Sequence, residues 1–372
     1  MTKLKVATIV GTRPEIIRLS RVTALFDRVF EHFVIHTGQN YDYELNQIFY
    51  DDLELRQPDY FLEANGSTAS ETIAGVIKKS DDLLRELRPD AVLVLGDTNS
   101  CLSLIAAKRL QIPTFHLEAG NRCFDQRVPE EINRRILDHL ADINLAYSDD
   151  ARSHLLSEGL PPDMTFTVGS PMKEVLNFYA EKIDRSTVLD TLDLAVGGYY
   201  VVSIHREENV DNPDAFTRLL EMLNTLAGRD GLPVVVSTHP RTRKRLEALN
   251  LQMDELIQFL KPLAFTDYVQ LQKKARVVLS DSGTISEESS LLGFPALNLR
   301  ETHERHEAME AGAVAMVGSD IARVEDALRI LEHVEDHPRA PLDYLVDDVS
   351  ERVAKIVTSY TGYVNRVVWR RF

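Results

Sequence analysis

Carboxylates stand directly after short apolar runs at several points in this chain. Ala91–Leu95 leads into Gly96-Asp97-Thr98, and Thr114–Leu117 leads into Glu118-Ala119-Gly120. Val128-Pro129-Glu130-Glu131 then opens a helical pattern. Acids in a first helical turn oppose the helix dipole, so Glu130 and Glu131 have an ordinary structural reading. For Asp97 and Glu118 the structural reading is weaker. A strand-end carboxylate near another is costly unless it is paired or used. Carboxyl groups converging in one pocket push their pKa values apart, which yields an acid and a base for proton transfer.

Other turns carry the chemistry of phosphate recognition. Val278–Ser280 ends in Asp281-Ser282-Gly283-Thr284 and continues into a helical pattern from Ile285. Such a turn presents first-turn N–H groups, which lack helical partners, at the positive end of the dipole. Glu288 lies one helical turn further on, placed to accept hydrogen bonds from a ribose diol, and the Glu301–Glu307 segment supplies Arg305. Near the start, Gly11-Thr12-Arg13-Pro14-Glu15 follows an apolar run and projects Arg13 at a strand edge. This is not G-x-G-x-x-G, so no dinucleotide cofactor is expected. Further strand-end groups are His205, within His205-Arg206-Glu207-Glu208-Asn209, and His239. Singly, a Ser-Gly-Thr turn is a helix cap and Arg13 a surface arginine. Donors in one half of the chain together with carboxylates in the other make the case.

These residues need a scaffold, and the apolar periodicity supplies one. Strands are predicted at Leu4–Val10, Phe33–His36, Ala91–Leu95 and Thr114–Leu117. Helices are predicted at Pro14–Asp27, Ser70–Leu87, Asn99–Leu110 and Glu130–Leu140. After an irregular stretch at Asp184–Gly198 the alternation restarts, with strands at Tyr199–Ile204, Pro233–Ser237, Arg276–Ser280 and Pro295–Leu297. The helices of this half are Asp214–Ala227, Thr266–Ala275 and Ile285–Leu292, and a last helix covers Val346–Tyr363. Short apolar strands alternating with amphipathic helices indicate parallel, helix-covered sheets, whose ligands bind beyond the strand C-terminal ends. The expectation is an α/β protein of two doubly wound domains with a cleft between them. Residues 1–180 form the first, 181–350 the second, and 351–372 a helix and tail crossing back to the first.

Bulk properties narrow the function. The 372 residues are 44% hydrophobic and 27% charged, the profile of an ordinary globular protein long enough for two cores. The formal charge of -16 disfavours nucleic acid and anionic membranes as partners. No apolar stretch approaches the roughly 20 residues of a membrane span. Cys101 and Cys123 fit no metal spacing or disulfide framework, and the first residues lack a signal-peptide pattern. A cytoplasmic location and no metal are expected.

Together, GTRPE, GDT, HLEAGNR, PEEINRR, the His-Arg-Glu-Glu-Asn turn, DSGTISEE and ETHERHE resemble the non-hydrolysing UDP-N-acetylglucosamine 2-epimerase family over nearly the whole chain. The resemblance implies a GT-B architecture of two Rossmann-like domains, a homodimer, and no metal or nicotinamide cofactor. Residue by residue, it implies that Asp97, Glu118 and Glu130 surround the reacting sugar and that His205 lies near sugar and diphosphate. It puts Ser282, Gly283, Thr284 and Arg13 on the phosphates, Glu288 on the ribose and Tyr268 against the uracil. Arg18 stands where the family usually has a lysine, and arginine keeps the charge but not the shape. A second glycine is common at Thr284, and a proline at His306. Asn40-Tyr41-Asp42-Tyr43 departs from the family's usual regulatory segment, so the resemblance does not carry that regulation over.

GTRPEIIRLSRV, QNYDYELN and the ending YVNRVVWRRF are similar to a subgroup that makes UDP-N-acetyl-L-fucosamine from its 6-deoxy-L-talose epimer for surface polysaccharides. The expected substrate is therefore a UDP-linked N-acetylamino sugar of that type, with UDP-N-acetylglucosamine as the alternative. The expected route is elimination of UDP to a 2-acetamidoglycal and re-addition. A GT-B glycosyltransferase would need an acceptor, a sensor would bind without turnover, and a hydrolysing epimerase would release free sugar.

Overall fold

The computed structural model describes residues 3–38, 47–204, 212–238, 246, 253–333 and 339–371. His205, the turn that follows it, His239, and the Asn40–Tyr43 segment lie outside the described residues. The chain divides into two compact units, residues 1–178 with 342–372, and residues 179–341.

The sheet of the first unit has the strands β1 (Lys5–Val10), β2 (Glu31–His36), β3 (Tyr60–Phe61), β4 (Ala91–Leu95), β5 (Thr114–Ala119), β6 (Ile143–Ala146) and β7 (Thr165–Thr167). Their order is β3-β2-β1-β4-β5-β6-β7, with every pairing parallel. β4 is buried at every position. A parallel strand covered by helices on both faces reads as such a continuous apolar run. The chain winds outward from β1 in both directions, so β1 and β4 flank the topological switch point where ligands of such sheets bind.

The helices α1 (Arg13–Val29), α2 (Gln47–Asp52), α3 (Ala69–Leu87), α4 (Leu104–Arg109), α5 (Pro129–Leu140), α6 (Asp149–Ser157) and α7 (Met172–Asp184) punctuate and follow these strands. The helix expected over Asn99–Leu110 is instead a 3-10 turn, Asn99–Ser103, followed by α4. Ser100 in this stretch is buried, its hydroxyl 3.0 Å from that of Thr37 beyond β2, which ties the 3-10 turn to the end of that strand. One face of the sheet packs Ala7, Ile9, Val92 and Val94 against Val76, Leu84 and Leu104.

In the second unit α8 (Val188–Thr191) interrupts the stretch expected to be irregular. β8 (Tyr200–Ile204), α9 (Pro213–Asp230), β9 (Val234–Thr238), β10 (Ile257–Leu260), α10 (Phe265–Lys274) and β11 (Val277–Ser280) follow. Then come α11 (Ile285–Leu292), β12 (Ala296–Asn298), α12 (His306–Glu310), β13 (Ala315–Met316) and α13 (Ile321–His333). The order is β10-β9-β8-β11-β12-β13, again parallel throughout, with β8 and β11 at the switch point. Tyr200, Val202, Leu279 and Leu297 on one face pack against the apolar side of α9 and α13, including Phe216, Leu219, Leu223 and Leu328. The last helix, α14 (Val349–Val367), packs in the first unit along α1, burying Val349, Val353, Val357 and Val364. Among the described residues no helix is long and apolar enough to cross a membrane.

Candidate active site

In the first unit the site begins at the ends of β1, β4 and β5. β1 stops at Val10, and Gly11 follows because nothing larger fits. A Cβ there would fall 1.9 Å from the Ser100 hydroxyl oxygen and 2.2 Å from that of Thr37. Arg13 then occupies the first turn of α1, its guanidinium carbon 5.5 Å from the centre of the Phe49 ring.

Asp97 follows β4 and Gly96, with Gly96 at φ +81°. Its Oδ2 accepts from Arg134 twice, from Nε at 3.0 Å and Nη2 at 2.7 Å. Arg134 is buried and is itself held by Glu131 at 3.1 Å. Asn133 donates to the Asp97 carbonyl at 2.9 Å. So α5 brings its inner face to the end of β4 and fixes Asp97 by both backbone and side chain. A quarter of the Asp97 side chain remains exposed, and Oδ1 accepts no hydrogen bond among the described residues.

Glu118 is placed by a backbone irregularity. β5 pairs with β6 through Leu117 and Ala119, and Glu118 is the extra residue between them, at φ +70°. A non-glycine residue in that region stores strain, and bulges of this kind re-aim a side chain. The result is a carboxylate turned back toward the neighbouring strand: Oε2 would lie 3.4 Å from a Cβ on Gly96. Oε1 pairs with Arg18 Nη1 at 2.8 Å, and Asn121 Nδ2 donates to it at 3.4 Å. Arg18 is 2% exposed, lies over the Tyr147 ring at 5.5 Å and donates to its hydroxyl at 3.4 Å. The two strand-end carboxylates are thus adjacent, and a different buried arginine holds each.

Beneath them lies a second layer. His116 of β5 contacts Asp138 of α5 at 3.0 Å and bonds the Gly96 carbonyl at 2.7 Å. Burial opposes the charged imidazole, but Asp138 and that carbonyl outweigh it, so the pKa of His116 is raised. Glu131 is held low for a similar reason. Burial would raise it, and the Cys123 N–H and the Arg134 charge more than compensate.

In the second unit the turn after β11 has the composition of a phosphate site. Ser282 Oγ lies 3.0 Å from Thr284 Oγ1 and accepts from the Thr284 N–H at 3.3 Å, so the turn is closed on itself just ahead of α11. A Cβ on Gly283 would fall 2.4 Å from Glu304 Oε1, and that carboxylate pairs with buried Arg300 at 2.5 Å. Glu288, buried one turn into α11, accepts from Gln272 Nε2 at 2.7 Å. Tyr268 stands one turn before Gln272 on α10, half-buried against the core that includes Val278 and Ile285. Arg305, 3% exposed, reaches Glu287 at 3.5 Å. Among the described residues no group of three or more His, Cys, Asp and Glu is arranged to hold a metal ion.

Comparison with known proteins decides what this arrangement is. The family described as UDP-N-acetylglucosamine 2-epimerase matches residues 24–358. The chain belongs to that family. It is therefore an isomerase, a UDP-sugar 2-epimerase, and its paired parallel-sheet units are of the GT-B-like class. Among solved structures it is similar to the UDP-N-acetylglucosamine 2-epimerase from Rickettsia bellii, with a TM-score of 0.92 and 48% identity, covering 99% of this chain and 100% of that one. It is also similar to the Methanocaldococcus jannaschii UDP-GlcNAc 2-epimerase in complex with UDP-GlcNAc and UDP, with a TM-score of 0.90 and 31% identity, covering 96% of this chain and 100% of that one. A Pseudomonas aeruginosa UDP-2,3-diacetamido-2,3-dideoxy-D-glucuronate 2-epimerase is 33% identical over 321 residues, 85% of this chain and 89% of the relative.

The epimerase groups Asp97, Glu118 and Arg18 at one sheet end, with Glu130 half-buried in the first turn of α5 and Arg13 in the first turn of α1. It groups Ser282, Gly283, Thr284, Glu288, Tyr268 and Arg305 around α11 in the other unit. The sequence reading passed over Arg134, Asn133, Tyr147, Glu15 and Arg300, which hold these groups in place. PEEINRR and GTRPE contained most of them, but a helix face gives no sign of which strand end it will meet.

Proposed function

We propose that the chain interconverts the C2 epimers of a UDP-linked N-acetylamino sugar without net hydrolysis, by elimination and re-addition of UDP. The C2 hydrogen is not beside a carbonyl, so a side-chain base cannot remove it directly. Breaking the C1–O bond sends the electron pair to the diphosphate and builds oxocarbenium character at C1, which acidifies the C2 hydrogen. A carboxylate takes that proton and the C1=C2 bond of a 2-acetamidoglycal forms. Return of a proton to the opposite face, with UDP re-adding at C1, inverts C2.

The observation that carries this reading is the adjacent pair of strand-end carboxylates, Asp97 and Glu118, each set by its own buried arginine. Asp97 Oδ1 is the oxygen left for proton transfer, and Glu118 and Glu130 complete the acid–base set. Arg13, the 282–284 turn and His205 receive charge developing on the leaving diphosphate, where preorganised donors lower the barrier most. Glu288 takes the ribose, Tyr268 the uracil, and Arg305 supports the turn.

For the sugar, we favour UDP-2-acetamido-2,6-dideoxy-L-talose and UDP-N-acetyl-L-fucosamine, on the strength of Arg18 and the GTRPEIIRLSRV, QNYDYELN and YVNRVVWRRF segments. UDP-N-acetylglucosamine is the second reading, favoured by the name of the Rickettsia bellii relative. A homodimer in the cytoplasm fits either. Proton NMR in heavy water tests the proposal with both sugars. Deuterium should enter C2 without any acceptor, and Asp97→Asn and Glu118→Gln should each slow this by roughly 100-fold to 10,000-fold. Near-normal exchange in both variants sinks the assignment, and free sugar accumulating with UDP points to hydrolysis instead.

A further inference from the structure

We propose that Glu15 is a positioning residue for the epimerisation: its buried carboxylate locks the turn that carries Arg13 to the turn that carries Asp97. The proposal rests on the proton-transfer role assigned to Asp97.

Glu15 is the third residue of α1 and is 1% exposed. Its Oε2 accepts from the Gly11 N–H at 2.5 Å and the Thr12 N–H at 3.1 Å, both in the turn after β1. Its Oε1 accepts from the hydroxyl of Thr98, the residue next to Asp97 in the turn after β4. These are the turns at the switch point of the sheet, and the first is tightly packed there, since a Cβ on Gly11 would meet the hydroxyls of Ser100, in the 3-10 turn that follows Thr98, and of Thr37 beyond β2. One carboxylate therefore spans the two chain segments whose relative placement sets Arg13 against Asp97.

The bond from the Thr12 N–H belongs to a capping box between Thr12 and Glu15, but capping does not account for the burial or for the bond to Thr98. At α3 the acid in the same third position, Glu71, is exposed and accepts from the Ser67 N–H and hydroxyl just ahead of its own helix. Capping of that kind needs no burial. Glu15 is buried, and it bonds a side chain 83 residues away. The groups facing it are the Thr98 hydroxyl, the Tyr50 phenol on α2 and the Cys101 thiol, and its charge helps raise the pKa of both Tyr50 and Cys101. Burial pushes Glu15 itself up to about 7, against the opposing pull of its hydrogen bonds. A carboxylate held at such cost is expected where geometry matters more than stability.

The test compares Glu15→Ala, Glu15→Gln and Thr98→Val with wild type in the full chain, reading kcat, KM and amide hydrogen exchange, with circular dichroism to confirm folding. Glutamine can accept from Gly11 and Thr12 and donate to Thr98, whose own hydrogen then turns toward Cys101 Sγ at 3.9 Å. Expected is a kcat loss of about tenfold or more in Glu15→Ala and Thr98→Val, because small misplacements of a reacting group are that costly. KM should move far less, and Glu15→Gln should recover most of kcat. Gly11 and Thr12 amides should exchange faster in Glu15→Ala than in Glu15→Gln. A folded Glu15→Ala with wild-type kcat overturns the proposal, as does a Glu15→Gln as impaired as Glu15→Ala. If wild type itself shows no C2 exchange, the functional reading fails, and the amide exchange still decides whether the lock exists: unchanged exchange at Gly11 and Thr12 refutes it.

Discussion

A carboxyl group that titrates near neutrality inside a folded chain leaves a thermodynamic trace, whatever its role. Burial lifts Glu15 from an ordinary 4.5 to about 7. Its folded-state pKa is raised, so its contribution to stability is fully present below about 4.5 and is lost as pH climbs through about 7. Glu15→Gln has no proton to lose. The stability of that variant relative to wild type should therefore rise between about pH 4.5 and 7, by about 3 kcal/mol at most, and level off above. Melting temperatures of the two proteins across that range measure it, and a difference that stays flat or falls contradicts the burial argument. Glu118 leaves a trace of another kind, in backbone geometry. Its position just past an apolar run is plain in the sequence, but the bulge and the φ of +70° that aim it at Gly96 are not. They depend on how β5 meets β6, and no local residue pattern encodes a single skipped pairing.

At the scale of elements, Arg122 shows how much of the site is held from behind. It is fully buried after β5, bonding Asp138 of α5 at 2.6 Å and Glu158 at the end of α6 at 2.6 Å and 2.9 Å. Replacing it by methionine keeps volume and removes the main partner of two carboxylates, leaving Asp138 to His116 and the Gly120 N–H and Glu158 to Arg135 and His139, so a loss of about 3 kcal/mol is expected, the low end for breaking a buried pair. The hydrogen bonds from Arg122 hold Glu158 down at about 2, so the stability they contribute is present above about 4.5 and lost as pH falls toward 2. The gap between wild type and Arg122→Met should accordingly narrow on acidification through that window, as followed by urea unfolding; a gap that widens refutes the pairing. Elements differ in how legible they are for the same reason. β4 and α11 span the residues that their apolar patterns predict, Ala91–Leu95 and Ile285–Leu292. β6 escapes notice because Asn144 breaks a four-residue run, and only the folded chain supplies its partner, the Asp138 carbonyl. β10, Ile257–Leu260, is as short and carries Gln258. Strands of this length are recognisable when wholly apolar, and otherwise are defined by their neighbours.

For the molecule as a whole, alternating strands and helices make the α/β class readable, since each βαβ unit must wind the same way and cover its sheet. Periodicity marks the chain's last helix, and the structure shows which element of the first unit it packs on. α14 sits on α1, buries Val353 and Val357 completely, and leads to Trp369, whose ring lies 5.2 Å from Lys108 Nζ on α4. Arg371 anchors the end by donating to the side-chain oxygen of Gln111 at 2.7 Å. Trp369 is the only tryptophan in the chain, so its fluorescence reports on the first unit alone, whereas circular dichroism reports on both. Val353→Asp places a charge in this packing and should cost several kcal/mol, on the order of burying an unpaired charge. The tryptophan transition should then move to lower denaturant, while the part of the dichroism that arises from residues 179–341 keeps its midpoint. Were both signals to shift together, the two units would be one cooperative structure, and the first could not be weakened without the second.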